Sequence, residues 1–187
     1  MEQLLIMEKV TYQGLNFVPF IKNDAIQAEV KRVAAEITRD YSEEPPLFLC
    51  VLTGAFVFAA DLFRNIPFNS EITFIRFKSY EGMKSTGQVK EVIGLHEDIS
   101  GRSIVIIEDI VDTGTTAAQL IDTLKAKGAK DVRLATLLYK PDSMKTNATP
   151  DYVCFNIPSK FILGYGLDID GLARNLPDIY ILEEDAK

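Results

Sequence analysis

The sequence predicts an α/β protein built on a doubly wound, parallel twisted sheet flanked by helices. Three observations carry that expectation. Residues 47–52 and 104–107 are short, unbroken apolar runs, the pattern of strands buried on both faces. Each is followed by a Gly-containing turn, Thr53-Gly54-Ala55 or Thr113-Gly114-Thr115, that opens into a helical pattern. Strand and helix patterns then keep alternating, which argues for parallel strands joined by crossover helices. The 187 residues fit one domain, 1–187, with enough length for a real core.

Taken in order, residues 24–41 form the clearest helix. Ala25, Ile26, Val30, Val33, Ala34, Ile37 and Tyr41 fall on one face, Asn23 or Asp24 is expected to supply the N-cap, and Pro45-Pro46 ends the segment. The strand 47–52 leads into an apolar helix running to about Arg64. Residues 71–78 read as a strand through Ile72, Phe74, Ile75 and Phe77. The stretch Ser79-Tyr80-Glu81-Gly82-Met83-Lys84-Ser85-Thr86-Gly87-Gln88 is polar, glycine-bearing and free of helical period. Strands at 92–95 and 103–107 flank a turn at 98–102. A helix at 117–127 turns Ala118, Leu120, Ile121 and Leu124 inward, with Gly128 as its C′ residue. Strands follow at 131–139, 151–157 and 180–182.

Composition narrows the class. Hydrophobic residues are 47% and charged residues 25%, an ordinary globular balance. A net charge of −7, with a pI near 4.8, argues against a general binder of nucleic acid or anionic membrane. No apolar run approaches membrane-spanning length, and Met1-Glu2-Gln3-Leu4-Leu5 lacks the basic start of a signal peptide. Cys50 and Cys154 sit in apolar runs and read as small buried hydrophobes in a reducing cytosol. His96 stands alone in a polar loop, a poor metal ligand.

The chemistry concentrates after the run 104–107. Two acids, Glu108 and Asp109, follow at once, then Ile110-Val111-Asp112 and Thr113-Gly114-Thr115-Thr116. A strand end, a glycine turn and a helix start form a cradle of free N–H groups with the positive end of the helix dipole behind them. Three threonine hydroxyls add donors. A phosphate fits such a cradle, but three neighbouring carboxylates repel a bare one. They suit a sugar phosphate, whose hydroxyls they accept from, or a phosphate carrying Mg²⁺. The plainer reading is a capped βα turn with solvated charges. The two common phosphate motifs, G-x-x-x-x-G-K-[ST] and G-x-G-x-x-G after a strand, do not occur here.

The nine residues from Glu108 to Thr116 resemble the phosphoribosyl-pyrophosphate signature of type I phosphoribosyltransferases. Leu52-Thr53-Gly54-Ala55-Phe56 is similar to that family's short pyrophosphate loop. It departs at Thr53, where many purine-salvage relatives carry Lys, so a side-chain cation is missing there. Phe155-Asn156-Ile157-Pro158, Lys160-Phe161-Ile162, Gly164-Tyr165-Gly166-Leu167-Asp168 and Arg174-Asn175-Leu176-Pro177 look like the hood of hypoxanthine-guanine phosphoribosyltransferases. The resemblance spans about Leu47 to Leu182. It implies the type I phosphoribosyltransferase fold with a small hood subdomain built from the N-terminal segment and about 151–187.

The resemblance also implies roles. Glu108 and Asp109 would hold the ribose hydroxyls and, through them, the metal, while the turn from Asp112 through Thr113, Gly114, Thr115 and Thr116 would anchor the 5′-phosphate. Thr53, Gly54 and Arg174 would meet pyrophosphate. Asp112 would be the catalytic base near purine N7. Lys140 would donate to O6, Phe161 would stack on the purine, and the Ile162 main chain would read its far edge. Asp168 would bind Mg²⁺, and Ser79-Tyr80 would hinge a catalytic lid. Each position has a plain alternative: surface charge for Lys140 and Arg174, core for Phe161, turn cap for Asp168. The reaction implied is transfer of a phosphoribosyl group from phosphoribosyl pyrophosphate to hypoxanthine or guanine in the cytoplasm. Neither nucleic acid nor membrane takes part, and a homodimer or homotetramer is expected. Rival readings are the same fold acting on xanthine, a phosphoribosyl-pyrophosphate-sensing regulator that binds nucleic acid, and an inert binding module.

Overall fold

The structure, a computed structural model, describes residues 9–78 and 90–183. Its main sheet has six strands: β3 (Leu47–Leu52), β4 (Glu71–Lys78), β5 (Lys90–Ile93), β6 (Ser103–Val111), β7 (Asp131–Tyr139) and β8 (Tyr152–Asn156). Their spatial order is β5-β4-β3-β6-β7-β8. Five run parallel, and only β5 at the edge runs antiparallel to its neighbour β4. A smaller antiparallel sheet, in the order β1-β2-β10-β9, is made from β1 (Val10–Tyr12), β2 (Leu15–Ile21), β9 (Ile162–Leu163) and β10 (Ile179–Leu182).

The helices are α1 (Asn23–Tyr41), α2 (Phe56–Arg64) and α3 (Thr115–Ala126). Alternation along β6 decides which face each covers. Val105 and Ile107 point into a core with α1 and α2, whereas Ile104 and Ile106 point into a second core with α3. All four are fully buried, so the unbroken apolar run is a strand covered on both faces. The third cluster, Phe17, Leu163, Ile169, Ala173 and Tyr180, belongs to the smaller sheet. None of the helices among the described residues is long and apolar enough to cross a membrane.

The crossovers β3-α2-β4 and β6-α3-β7 proceed in opposite directions from the adjacent strands β3 and β6. Opposite directions with one handedness place α2 and α3 on opposite faces and open a crevice at the carboxyl ends of β3 and β6. The two Gly turns named from the sequence lie there.

Several details differ from the sequence reading, among them the strand expected at 92–95, which runs Lys90–Ile93, and the helix expected at 117–127, which begins at Thr115. β6 runs four residues beyond Ile107, so Glu108 and Asp109 lie within the strand; pairing with β7 carries the ladder on to Val111. Ala25 is exposed, and Ala117 is buried in α3 where Ala118 is only partly covered. The β1–β2 hairpin was not read from sequence; it turns on Gln13-Gly14, both at positive φ, as a two-residue hairpin loop requires. Finally, neither Asn23 nor Asp24 caps α1. Asn23 is already helical, and its N–H donates to Asp178 Oδ1 at 2.7 Å, so the cap comes from a residue 155 positions away. The Asn23 side chain donates to the Pro177 carbonyl at 2.9 Å. The expected lid, with Ser79 and Tyr80, lies outside the described residues.

A carboxylate at a helix N-terminus meets both the orphan donors and the dipole. Asp178→Ala is therefore expected to destabilise the protein by about 1 kcal/mol, with Asp178→Asn milder, as read from urea unfolding midpoints.

Candidate active site

The carboxyl end of β6 runs through Asp112 and Thr113 to Gly114, which caps α3 in the left-handed conformation at φ 75°. A side chain at Gly114 would be strained and would also collide: its Cβ would lie 2.5 Å from Thr146 Oγ1 and 2.6 Å from Met144 Cε. The Thr113 carbonyl accepts from the Lys145 N–H at 2.9 Å, so the segment after β7 braces the turn from behind. In front, residues 110–117 and Glu108 line a concavity of about 110 Å³. Gly114 has no side chain to cap α3; the Thr115 N–H donates to Thr113 Oγ1 at 3.4 Å, and the first N–H groups have no helical acceptor. Thr113 and Thr115 share a hydroxyl contact of 3.1 Å at its rim. Asp112 is not the cap of α3, whose N-cap position is Gly114.

The acids separate into different environments. Glu108 is buried opposite Thr136 on β7. Burial, with Asp109 beside it, pushes its pKa well above the usual carboxylate range. Asp109 lies directly beneath the β3 turn: a Cβ on Gly54 would sit 1.6 Å from Asp109 Oδ2. Burial pushes the Asp109 pKa up to about 6, reinforced by Asp168 and opposed by the Ile110 and Asp109 N–H groups and by Arg174. Asp112 instead keeps a side chain 48% exposed and receives Lys140 Nζ at 2.9 Å. Lys140 itself is only 8% exposed, so it is no surface charge.

Arg174 binds Asp168 at 2.7 Å and the Gly166 carbonyl at 2.7 Å. Asp168 also accepts from the Gly171 N–H at 2.6 Å, so it caps its own turn as well as pairing. On the smaller sheet, Phe161 is 47% exposed, with Phe17 tilted against it at 6.0 Å between ring centres, and is not core. The Leu182 N–H donates to the Phe161 carbonyl at 2.9 Å. Antiparallel alternation then makes Ile162–Ile181 a non-hydrogen-bonded pair. Because β9 is the sheet edge, the Ile162 N–H and carbonyl point outward from it. A Ser143–Ser159 hydroxyl contact ties the turn after Lys140 to the segment before Phe161.

The structure thus brings Lys140 to Asp112, Gly54 to Asp109, and Arg174 to Asp168. Among the described residues no three His, Cys, Asp or Glu side chains gather closely enough to enclose a metal. Asp109 and Asp168 nonetheless offer hard oxygen donors that feel each other's charge. That suits Mg²⁺, which takes one or two protein carboxylates and completes its shell with phosphate oxygens and water. Sequence reasoning missed the Met144/Thr146 brace and the half-buried Tyr165–Asp61 bond; neither has a local sequence signal.

Residues 21–170 match the phosphoribosyl transferase domain family, and the chain belongs to that family. It is 39% identical over 174 residues to the hypoxanthine-guanine phosphoribosyltransferase of Streptococcus pyogenes, covering 92% of this chain and 96% of the relative. The crystal structure of a hypoxanthine-guanine phosphoribosyltransferase from Bacillus anthracis superposes with a TM-score of 0.84 at 38% identity, over 88% of this chain and 98% of that one. A hypoxanthine phosphoribosyltransferase from Staphylococcus aureus gives 0.84 at 35% identity, over 88% and 90%.

The shifted carboxyl has a consequence for stability. A group whose folded pKa is raised holds its proton more tightly when folded, so its stabilising contribution is complete below the unfolded value of 3.8 and is lost as pH rises through about 6. Asp109→Asn keeps an acceptor for the Ile110 N–H without the charge. It is expected to raise the melting temperature at about pH 8 and to leave it little changed at about pH 4, as read by thermal unfolding across that range.

Proposed function

We propose that this chain transfers the 5-phosphoribosyl group from phosphoribosyl pyrophosphate to N9 of hypoxanthine or guanine, giving IMP or GMP and pyrophosphate. The observation that carries this reading is the Lys140–Asp112 pair, 2.9 Å apart at the mouth of the phosphate cradle. A 6-oxopurine presents O6 and N7 side by side on one edge. A buried ammonium next to a half-exposed carboxylate offers that edge a donor for O6 and an acceptor for the N7 proton. An aminopurine would turn its own donor toward Lys140, which selects against it.

In this reading Phe161 stacks on the base and the Ile162 main chain meets its opposite edge. Thr113, Gly114, Thr115 and Thr116 bind the 5′-phosphate, and Glu108 with Asp109 accept from the ribose hydroxyls. The bond from the ribose carbon to pyrophosphate breaks as the bond to N9 forms, and positive charge develops on the sugar. Arg174 and the backbone at Thr53 and Gly54 meet the departing pyrophosphate, and Asp112 takes the purine proton. Mg²⁺, held by Asp168 and Asp109 together with substrate oxygens, would neutralise charge on the leaving group. We assign one domain whose hood is built from the N-terminal segment and about 151–187, although β8 within that range pairs in the main sheet, a lid hinged at Ser79 and Tyr80, a cytoplasmic location and a homodimer or homotetramer.

Steady-state assays with phosphoribosyl pyrophosphate and each of hypoxanthine, guanine and xanthine test the reading, and no turnover with any of them overturns it. Asp112→Asn is expected to lower kcat by about 10²-fold or more while phosphoribosyl pyrophosphate still binds. A near-normal kcat would remove Asp112 from proton transfer. Lys140→Ala is expected to raise KM for guanine and hypoxanthine by about 10- to 100-fold, the loss of a charge-assisted edge contact worth about 1.5–3 kcal/mol.

A further inference from the structure

Three consecutive residues, Gly164, Tyr165 and Gly166, have positive φ, at 94°, 49° and 100°. Glycine adopts that region freely, but Tyr165 does not, so the surroundings must hold it there. Its side chain is 3% exposed, and its hydroxyl donates to Asp61 Oδ2 at 2.6 Å. Gln27 Nε2, from α1, donates to the same oxygen at 2.7 Å. Burial and the Asp61 carboxylate both push the Tyr165 pKa up, which keeps the hydroxyl a donor.

The turn so pinned packs between Arg174 and the Gly54 loop, the groups proposed above to meet pyrophosphate. The Gly166 carbonyl accepts from Arg174 Nη1, and the Gly166 N–H donates to the Arg174 carbonyl at 3.0 Å. A Cβ on Gly166 would lie 2.3 Å from the Gly54 carbonyl oxygen, so this turn packs against the β3 loop with no room to spare. Asp61 is on α2, the helix that begins directly after that loop. One hydroxyl therefore joins the two pieces of backbone, 53–55 and 164–166, that flank the space between Gly54 and Arg174.

We propose that Tyr165 is a positioning residue for diphosphate binding: its bond to Asp61 locks the Gly166 turn, and with it Arg174, in register with the Gly54 loop. The assignment rests on the transferase reading for its substrate, but the geometry concerns the diphosphate group alone. Binding energy for such a group depends on donors fixed before it arrives.

The experiment measures Mg²⁺-pyrophosphate affinity by calorimetry and steady-state kinetics for Tyr165→Phe, which removes one oxygen. Pyrophosphate affinity and KM for phosphoribosyl pyrophosphate are expected to weaken by about ten-fold, the effect of one hydrogen bond to a charged group, while KM for the purine changes less than two-fold. Asp61→Ala should reproduce the effect, Asp61→Asn, which keeps an acceptor, should stay closer to the parent, and the pair Tyr165→Phe/Asp61→Ala should be no worse than either alone. A lower melting temperature with pyrophosphate affinity within two-fold of the parent would make Tyr165 purely structural and overturn the proposal. So would equal weakening toward purine and pyrophosphate. Absence of transfer by the parent chain would instead overturn the transferase reading, and the pyrophosphate titration would still test the lock.

Discussion

The register of the parallel pair β6–β7 is the constraint on which the site depends. Val111 stands opposite Tyr139, and the Lys140 N–H donates to the Val111 carbonyl at 3.0 Å. The next residue along each strand is Asp112 on one and Lys140 on the other, so the ladder itself sets their side chains together. A slip of one residue would separate them and would also turn Ile104 and Ile106 toward α1 and α2. Hydrophobic burial on both faces of β6 thus enforces the geometry of a polar pair at its end.

That pair also explains how an acidic strand end tolerates a buried cation. Lys140 gives up most of its water, and Asp112 compensates it while remaining half open to solvent. Breaking such a pair by removing one partner leaves a buried charge uncompensated, which costs far more than a surface ion pair contributes. Glu108 and Asp109 follow a different course. They lie within the strand, lose solvation and hold their protons more tightly, with Arg174 offsetting part of the effect on Asp109.

The smaller sheet supplies what the main sheet cannot. Its edge strand β9 leaves the Ile162 main chain unpaired on one side, next to an exposed phenyl ring. It is fastened to the larger body by Asp178 at the start of α1 and by Tyr165 at α2. Both links run from turns of the 164–178 region to helices of the main layer, so the polar groups on those turns move with the crevice.

Much of this was legible in the chain itself. The buried run 104–107, the acids after it, Gly114 before a helix and Gly128 after one have strictly local causes: side-chain alternation, glycine's access to positive φ and the orphan groups of helix ends. The resemblance of the 108–116 stretch and of the hood segments carried the family. Tertiary structure alone decided the rest. It extended β6 through Glu108 and Asp109, because pairing with β7 outweighs the preference of acids for loops. It gave α1 a cap from Asp178, pressed Gly54 onto Asp109, and pinned Tyr165 to Asp61, because these partners lie 155, 55 and 104 residues apart and meet only when the chain folds up, the second by strand pairing within the main sheet and the others by packing between layers. Local sequence fixes which backbone shapes a segment can take; which distant polar groups then satisfy one another is a property of the packed chain.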